Sequence, residues 1–210
     1  MVFSSSIFIF GFLPILLLFY FLSPKKLKNY TLLLFSLLFY AFGGLKYLLI
    51  MMLVVLIDYF GAILIDKYKT KTKQILIITI AINILVLMFY KYTNFFISNI
   101  NNLFNIDIKL LNIIMPIGIS FYTFQAMSYV IDVYKKEVKV QKNYLLLLLY
   151  VSLFPQLIAG PIVRYQTIEK EITKRKTSFE DISYGIERFI LGFSKKLIIA
   201  NQMGKLADII

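Results

Sequence analysis

Residues 144–165 read YLLLLLYVSLFPQLIAGPIVRY, and how this stretch is read decides the fold. Tyr144–Val163 contains no Asp, Glu, Lys or Arg, and roughly 20 apolar residues in a helix suffice to cross a bilayer. Pro155, Gly160 and Pro161 interrupt its second half. Proline removes a backbone donor and blocks the preceding turn. Backbone freed at membrane depth survives only where protein or a watery cavity receives it. Basic residues flank both ends: Lys139 and Lys142 before the block, and Arg164, Lys170, Lys174, Arg175 and Lys176 after it. A straight span would put these flanks on opposite sides of the membrane. A re-entrant helix that breaks near Pro155 and returns keeps both on one side, and this reading is preferred to the straight span.

Outward from this block the pattern repeats. Val2–Leu22, Asn29–Leu45 and Ile113–Ile131 are also uncharged blocks rich in apolar residues. The whole chain of 210 residues is 60% hydrophobic and only 16% charged, with a mean hydropathy of +0.78. Soluble domains carry about 25% charged residues, so the composition excludes a cytosolic globule and a disordered chain alike. The expected fold is all-α, a polytopic membrane helical bundle in a single domain over 1–210, with five to seven spans. Spans fall at about 4–22, 29–45, 47–65, 75–90 and 113–133, followed by the re-entrant segment 144–163. Pro116 suits the first turn of the fifth helix.

The connections assign an orientation. Three alternate ones hold Lys25, Lys26 and Lys28; Lys67, Lys69, Lys71 and Lys73; and Lys135, Lys136, Lys139 and Lys142. The others hold only Lys46, Lys91 and Lys109, in part within an Asn-rich stretch. By the positive-inside rule the lysine-rich connections face the cytoplasm and the amino terminus faces out. The net charge of +12 is thereby assigned to topology and anionic lipid rather than to nucleic acid.

The chain has no Cys and no His, which excludes disulfides, a thiolate nucleophile, a Cys-type zinc site and imidazole catalysis within these residues. No metal site is expected. Thr177 with Glu180, or Ser178 with Asp181, makes a capping box. Phe179, Ile182, Ile186, Phe189, Ile190, Phe193 and Leu197 then recur at helical spacing, giving an amphipathic helix over 178–200 that packs on the bundle or lies in the interface.

Polar groups inside apolar blocks need a reason. Asp58 and Asn83 read first as interhelical contacts. Asp132 lies at the end of its block, within reach of the interface or of Lys135 and Lys136. Residues 115–125, MPIGISFYTFQ, carry polar handles, among them Tyr122 and Gln125. In 154–165, Arg164 closes the stretch with a fork suited to phosphate or carboxylate; a turn with a snorkelling Arg is the alternative.

In order, PIGISFYTFQ (116–125), YVIDVY (129–134) and FPQLIAGPIVRY (154–165) resemble the membrane-bound O-acyltransferase family, in its bacterial alginate O-acetylation branch. FYAFG (39–43), KYTNFF (91–96) and GFSKK (192–196) follow the same branch. The resemblance implies transfer of an acyl group, acetyl in this branch, from acetyl-CoA or another cytoplasmic thioester to hydroxyls of an extracellular polysaccharide. It implies a multi-pass location in the bacterial cell membrane, a periplasmic or surface partner, and no bound cofactor. The family's catalytic His is expected after Ile210, so no catalytic residue lies in this chain, which alone is expected to be inactive. Tyr122, Gln125, Pro155, Gln156, Gly160, Pro161, Arg164 and Tyr165 become candidates for lining the passage or binding. Arg164, Lys195 and Lys196 become candidates for the donor's phosphates. A D-alanyl transfer protein for teichoic acid and a multi-span transporter or flippase are the competing functions.

Overall fold

The computed structural model describes residues 5–157, 162–175 and 178–207. Every regular element among them is helical. A π-helical turn, Phe8–Phe12, leads into α1 (Leu13–Leu22); α2 (Lys28–Ala41), α3 (Leu45–Lys67), α4 (Thr72–Phe104) and α5 (Ile119–Tyr134) follow. Two helices, α3 and α4, are long and apolar enough to cross a membrane.

The bundle is organised around α5, which packs on α3, α4, α6 (Tyr144–Ser152) and α8 (Tyr165–Lys174). Its buried positions surround the helix, including Tyr122, Gln125, Tyr129 and Asp132, as expected of a helix with neighbours on every side. Between α3 and α4 the approach is close. A Cβ added to Gly61 would stand 2.5 Å from Thr79 Oγ1; two aliphatic side chains there would force the helices apart. Next to it, Asn83 Nδ2 donates to Asp58 Oδ1 at 2.8 Å and also to the Thr79 carbonyl. Asp58 and Asn83 are therefore an interhelical contact in the bundle interior.

Two expected spans differ from the structure. The fourth does not stop near residue 90: α4 runs 33 residues to Phe104, where Asn105 turns left-handed (φ 52°) and ends it. The asparagines that read as a loop lie on this helix. Asn94 pairs in both directions with Leu111, through its backbone N–H and its carbonyl, and Asn101 does the same with Ile108. The amide side chains thus supply the partners that a neighbouring strand would give. The non-helical segment 106–118 is held along α4 by these pairs. Accordingly the fifth helix starts at Ile119 instead of near 113. Gly118 adopts φ 76°, a conformation that a side chain disfavours, and this places Pro116 in the turn before the helix, not in its first turn.

Two ends of the bundle emerge. At one, the Tyr40 hydroxyl donates to the Ile117 carbonyl, joining the end of α2 to the 106–118 segment. At the other lie the lysine-rich connections. Tyr59 donates to the Lys142 carbonyl there, and Asn29 donates to the Ile172 carbonyl at 2.7 Å. Arg175 donates to the Tyr20 hydroxyl, whose ring also lies under Lys28. The start of α2 is therefore a neighbour of α8, and the 135–143 connection a neighbour of α3.

The last helices stand apart from this core. Ser178 caps α9 (Phe179–Lys195) through a capping box with Asp181, so the second of the two registers is used; Thr177 lies outside the described residues. α9 meets chiefly the π-helical turn that follows it, and α10 (Asn201–Ala207) continues from that turn. Its apolar stripe is open, with Phe179 at 85% exposure.

Candidate functional site at the helix break

α6 extends nine residues and stops at Ser152, too short for a straight crossing. Asn143 starts it by accepting from the Leu145 N–H, and Pro155 prevents its continuation. A four-residue helix, α7 (Phe154–Leu157), follows Leu153. In an unbroken helix the Tyr150 carbonyl would accept from residue 154. Here the Phe154 N–H turns to Ser36 Oγ on α2 at 3.4 Å. The released Tyr150 carbonyl instead accepts from Gln125 Nε2 at 3.1 Å and Gln156 Nε2 at 2.6 Å. One glutamine from each motif thus converges on a single freed backbone oxygen. That contact closes the break in the apolar interior, where an unpaired carbonyl costs roughly 1–3 kcal/mol.

The chain then returns. The Tyr150 hydroxyl donates to the Val163 carbonyl at 2.7 Å. Tyr165, which opens α8, packs edge-on against Tyr129 and Tyr150 with ring centroids 5.0 and 5.1 Å away. Gln141 ties this aromatic group to the lysine-rich connection: its amide donates to Tyr165 Oη, and its backbone N–H donates to Tyr129 Oη. Burial raises the Tyr165 phenol above its ordinary pKa, and the Gln141 hydrogen bond offsets part of that rise.

Arg164 sits between the aromatic group and the lysine-rich end. Its Nη2 is 3.3 Å from Asp132 Oδ1 and its Nη1 is 3.6 Å from Glu137. Asp132 is fully buried, whereas half of the Arg164 side chain is exposed. The contact to Asp132 is an ion pair without hydrogen-bond alignment. Asp132 thus meets Arg164, not the expected Lys135 or Lys136; Lys135 lies 4.0 Å from Glu137 instead. The two carboxylates outweigh the single guanidinium, so this group carries no surplus positive charge.

Of the sequence candidates, Gln125, Gln156, Arg164 and Tyr165 are gathered around Tyr150 and the end of α5. Tyr122 is buried farther along α5, edge-on to Tyr40. Pro155 is exposed. Gly160 and Pro161 lie outside the described residues. Lys195 and Lys196 lie at the end of α9 and the start of its π-helical continuation, on the elements set apart from the bundle. Sequence reasoning passed over Ser36, Gln141 and Glu137 as partners. Asp132 alone had a signal, its place in YVIDVY. Among the described residues no group of acidic side chains is placed to hold a metal ion.

The chain is 35% identical over 215 residues to a protein of Pseudomonas aeruginosa named a probable alginate O-acetylase, covering 99% of this chain and 41% of that one. It is 33% identical to a peptidoglycan O-acetyltransferase of Helicobacter pylori, covering 99% of this chain and 46% of the relative. Against a teichoic acid D-alanyltransferase of Bacillus subtilis the likeness is 33% over 91 residues, covering 42% of this chain and 23% of that one. The chain thus spans less than half the length of the curated relatives it matches. No family model matches it, and no solved structure does. Together with the apolar helices and the motif residues meeting at the break, these relationships make it a membrane protein similar over nearly its whole length to alginate O-acetylases and to a peptidoglycan O-acetyltransferase, the likeness that its motifs imply.

Proposed function

We propose that the 210 residues form the part of an O-acetyltransferase that receives an acyl thioester from the cytoplasm and opens a route for it toward hydroxyls of an extracellular polysaccharide. The observation that carries this is the match over 99% of the chain to two kinds of polymer O-acetylating relatives; the partial match to the D-alanyl relative carries less. With neither imidazole nor thiol present, the role falls to binding and passage rather than to proton abstraction. The donor is acetyl-CoA or a similar thioester, and a periplasmic or surface partner handles the acceptor.

In this reading the chain is multi-pass in the bacterial cell membrane, with its amino terminus outside and its lysine-rich end in the cytoplasm. α6 and α7 are re-entrant. Support comes from Arg164 and Tyr165, which return to the end where α6 begins. The break, with Tyr150, Gln125 and Gln156, lies where an acyl chain entering from that end would pass. Arg164 remains a candidate for the donor's phosphates through its exposed half, as do Lys195 and Lys196.

A chimera tests the activity: residues 1–210 replace the matched segment of the P. aeruginosa relative in a strain lacking that gene, and acetyl esters on the secreted polymer are measured by NMR. Restored esters are expected. Their absence from a chimera present in the membrane at normal level counts against the proposal. A single cysteine in this Cys-free chain tests the orientation. Lys109→Cys is expected to react with an impermeant maleimide on intact cells, and Lys69→Cys only after lysis.

A further inference from the structure

A cleft of about 790 Å³ opens at the lysine-rich end, between the α3–α4 connection and the α5–α6 connection. Lys69 comes from the first and Lys136, Lys139 and Lys142 from the second, with Asp66 and Glu137 the acidic members of the lining. Four cations against two carboxylates leave a surplus of two positive charges. Glu137 is already drawn toward Arg164 and Lys135. None of the four lysines belongs to an ion pair among the described residues. Like charges gathered in one concavity repel one another unless an anion joins them.

Lys136 adds a second observation. It occupies the left-handed position after α5, φ 62°, where the Glu137 N–H closes back on the Asp132 carbonyl. Glycine is the usual residue at such a helix end, and a side chain there is strained. This turn places Lys136 in the cleft wall. The size of the cleft suits a ligand larger than a single small ion.

We infer that this cleft binds a phosphate ester, with Lys69, Lys136, Lys139 and Lys142 as its cationic walls. Two sources offer that chemistry: the diphosphate and phosphate of a nucleotide thioester carrier, and the headgroup of an anionic phospholipid in the adjoining leaflet. The site follows from the cleft and its charges alone, and it stands whichever polymer the whole protein modifies.

The test uses the full chain in neutral detergent, with two probes. Coenzyme A binding is measured by equilibrium dialysis, and retention of phosphatidylglycerol against phosphatidylcholine is measured by native mass spectrometry. Lys136→Gly removes one cation and relieves the left-handed strain, so its melting midpoint should not fall. Its binding of one probe should weaken roughly tenfold, the loss of one charge-assisted contact. Lys139→Ala/Lys142→Ala should weaken the same probe further, and Lys91→Ala/Lys109→Ala, with the same charge change elsewhere, should leave it unaltered. Loss confined to coenzyme A identifies the carrier as the source, and loss confined to phosphatidylglycerol identifies the lipid. Neither probe binding, or equal binding by the cleft variants and the control pair, overturns the site.

Discussion

Asp58 and Asp132 are both fully buried carboxylates on helices of one bundle, yet their partners differ in kind. Asp58 meets a neutral amide, Asn83, across the tight α3–α4 contact. Asp132 meets a cation, Arg164, that is half exposed and arrives from the far side of the helix break. The first pair fastens two helices that are already regular. The second fastens the return of a broken segment, and its cationic member keeps half of its side chain at the surface. Equal burial therefore hides unequal contacts, and the charge and exposure of the partner tell them apart.

The largest effect is expected from Arg164→Ala, which leaves Asp132 without its cation. It should lower stability by roughly 2 kcal/mol, less than the roughly 3–5 kcal/mol of a fully buried pair because water screens the exposed half of Arg164, read as the unfolding midpoint in detergent. Asp132→Asn in the same background should recover about half of the loss. If Arg164→Ala alone is neutral, the two aspartates are equivalent and the contrast fails.

Next comes Gly61→Val, which drives side-chain atoms into Thr79. About 1–3 kcal/mol of overpacking is expected, together with weakened crosslinking between cysteines engineered on α3 and α4. Asp58→Asn sharpens the comparison from the other side. An amide can replace the carboxylate opposite Asn83, and interhelical hydrogen bonds in membranes average only about 0.6 kcal/mol. The change should thus stay within roughly that figure, while Asp58→Leu exceeds it.

The smallest effect concerns Asp181, whose carboxyl is held below its ordinary pKa by the Ser178 backbone N–H and hydroxyl. A lowered native pKa means that its capping contribution is present above the unfolded value of 3.8 and is lost as pH falls through the folded one. Helicity of α9 should decline slightly on acidification in that window. Asp181→Asn should flatten the response, as followed by circular dichroism.

Much of this was legible in the residues. Uncharged blocks bounded by lysines gave the helical class. The prolines of 154–165 gave the break, and Ser178 with Asp181 gave one of two caps. The Asn-rich stretch misled, because asparagine is a poor helix former in isolation. Asn94 and Asn101 stay helical because their amides satisfy the backbone of 106–118, a partnership across 17 and 7 residues that local periodicity does not register. Gly118 displaced the start of α5 by a conformation rather than by composition. At the site, the glutamines were visible as polar handles, but their shared target, a freed carbonyl, is a property of the break. The lysine cleft escaped notice because its walls lie some 65 residues apart, and each wall by itself looked like a topology signal.

The 33 residues of α4 make a rod roughly 50 Å long, against a hydrocarbon layer of roughly 30 Å. Leaning alone would have to exceed the about 40° that such rods reach to hide it all. Part of the rod must stand clear of the lipid, and the polar faces of Asn94 and Asn101 mark its carboxyl end as that part. The 106–118 strap laid along it then becomes a collar at the water boundary, its backbone paired with the rod by two asparagine amides.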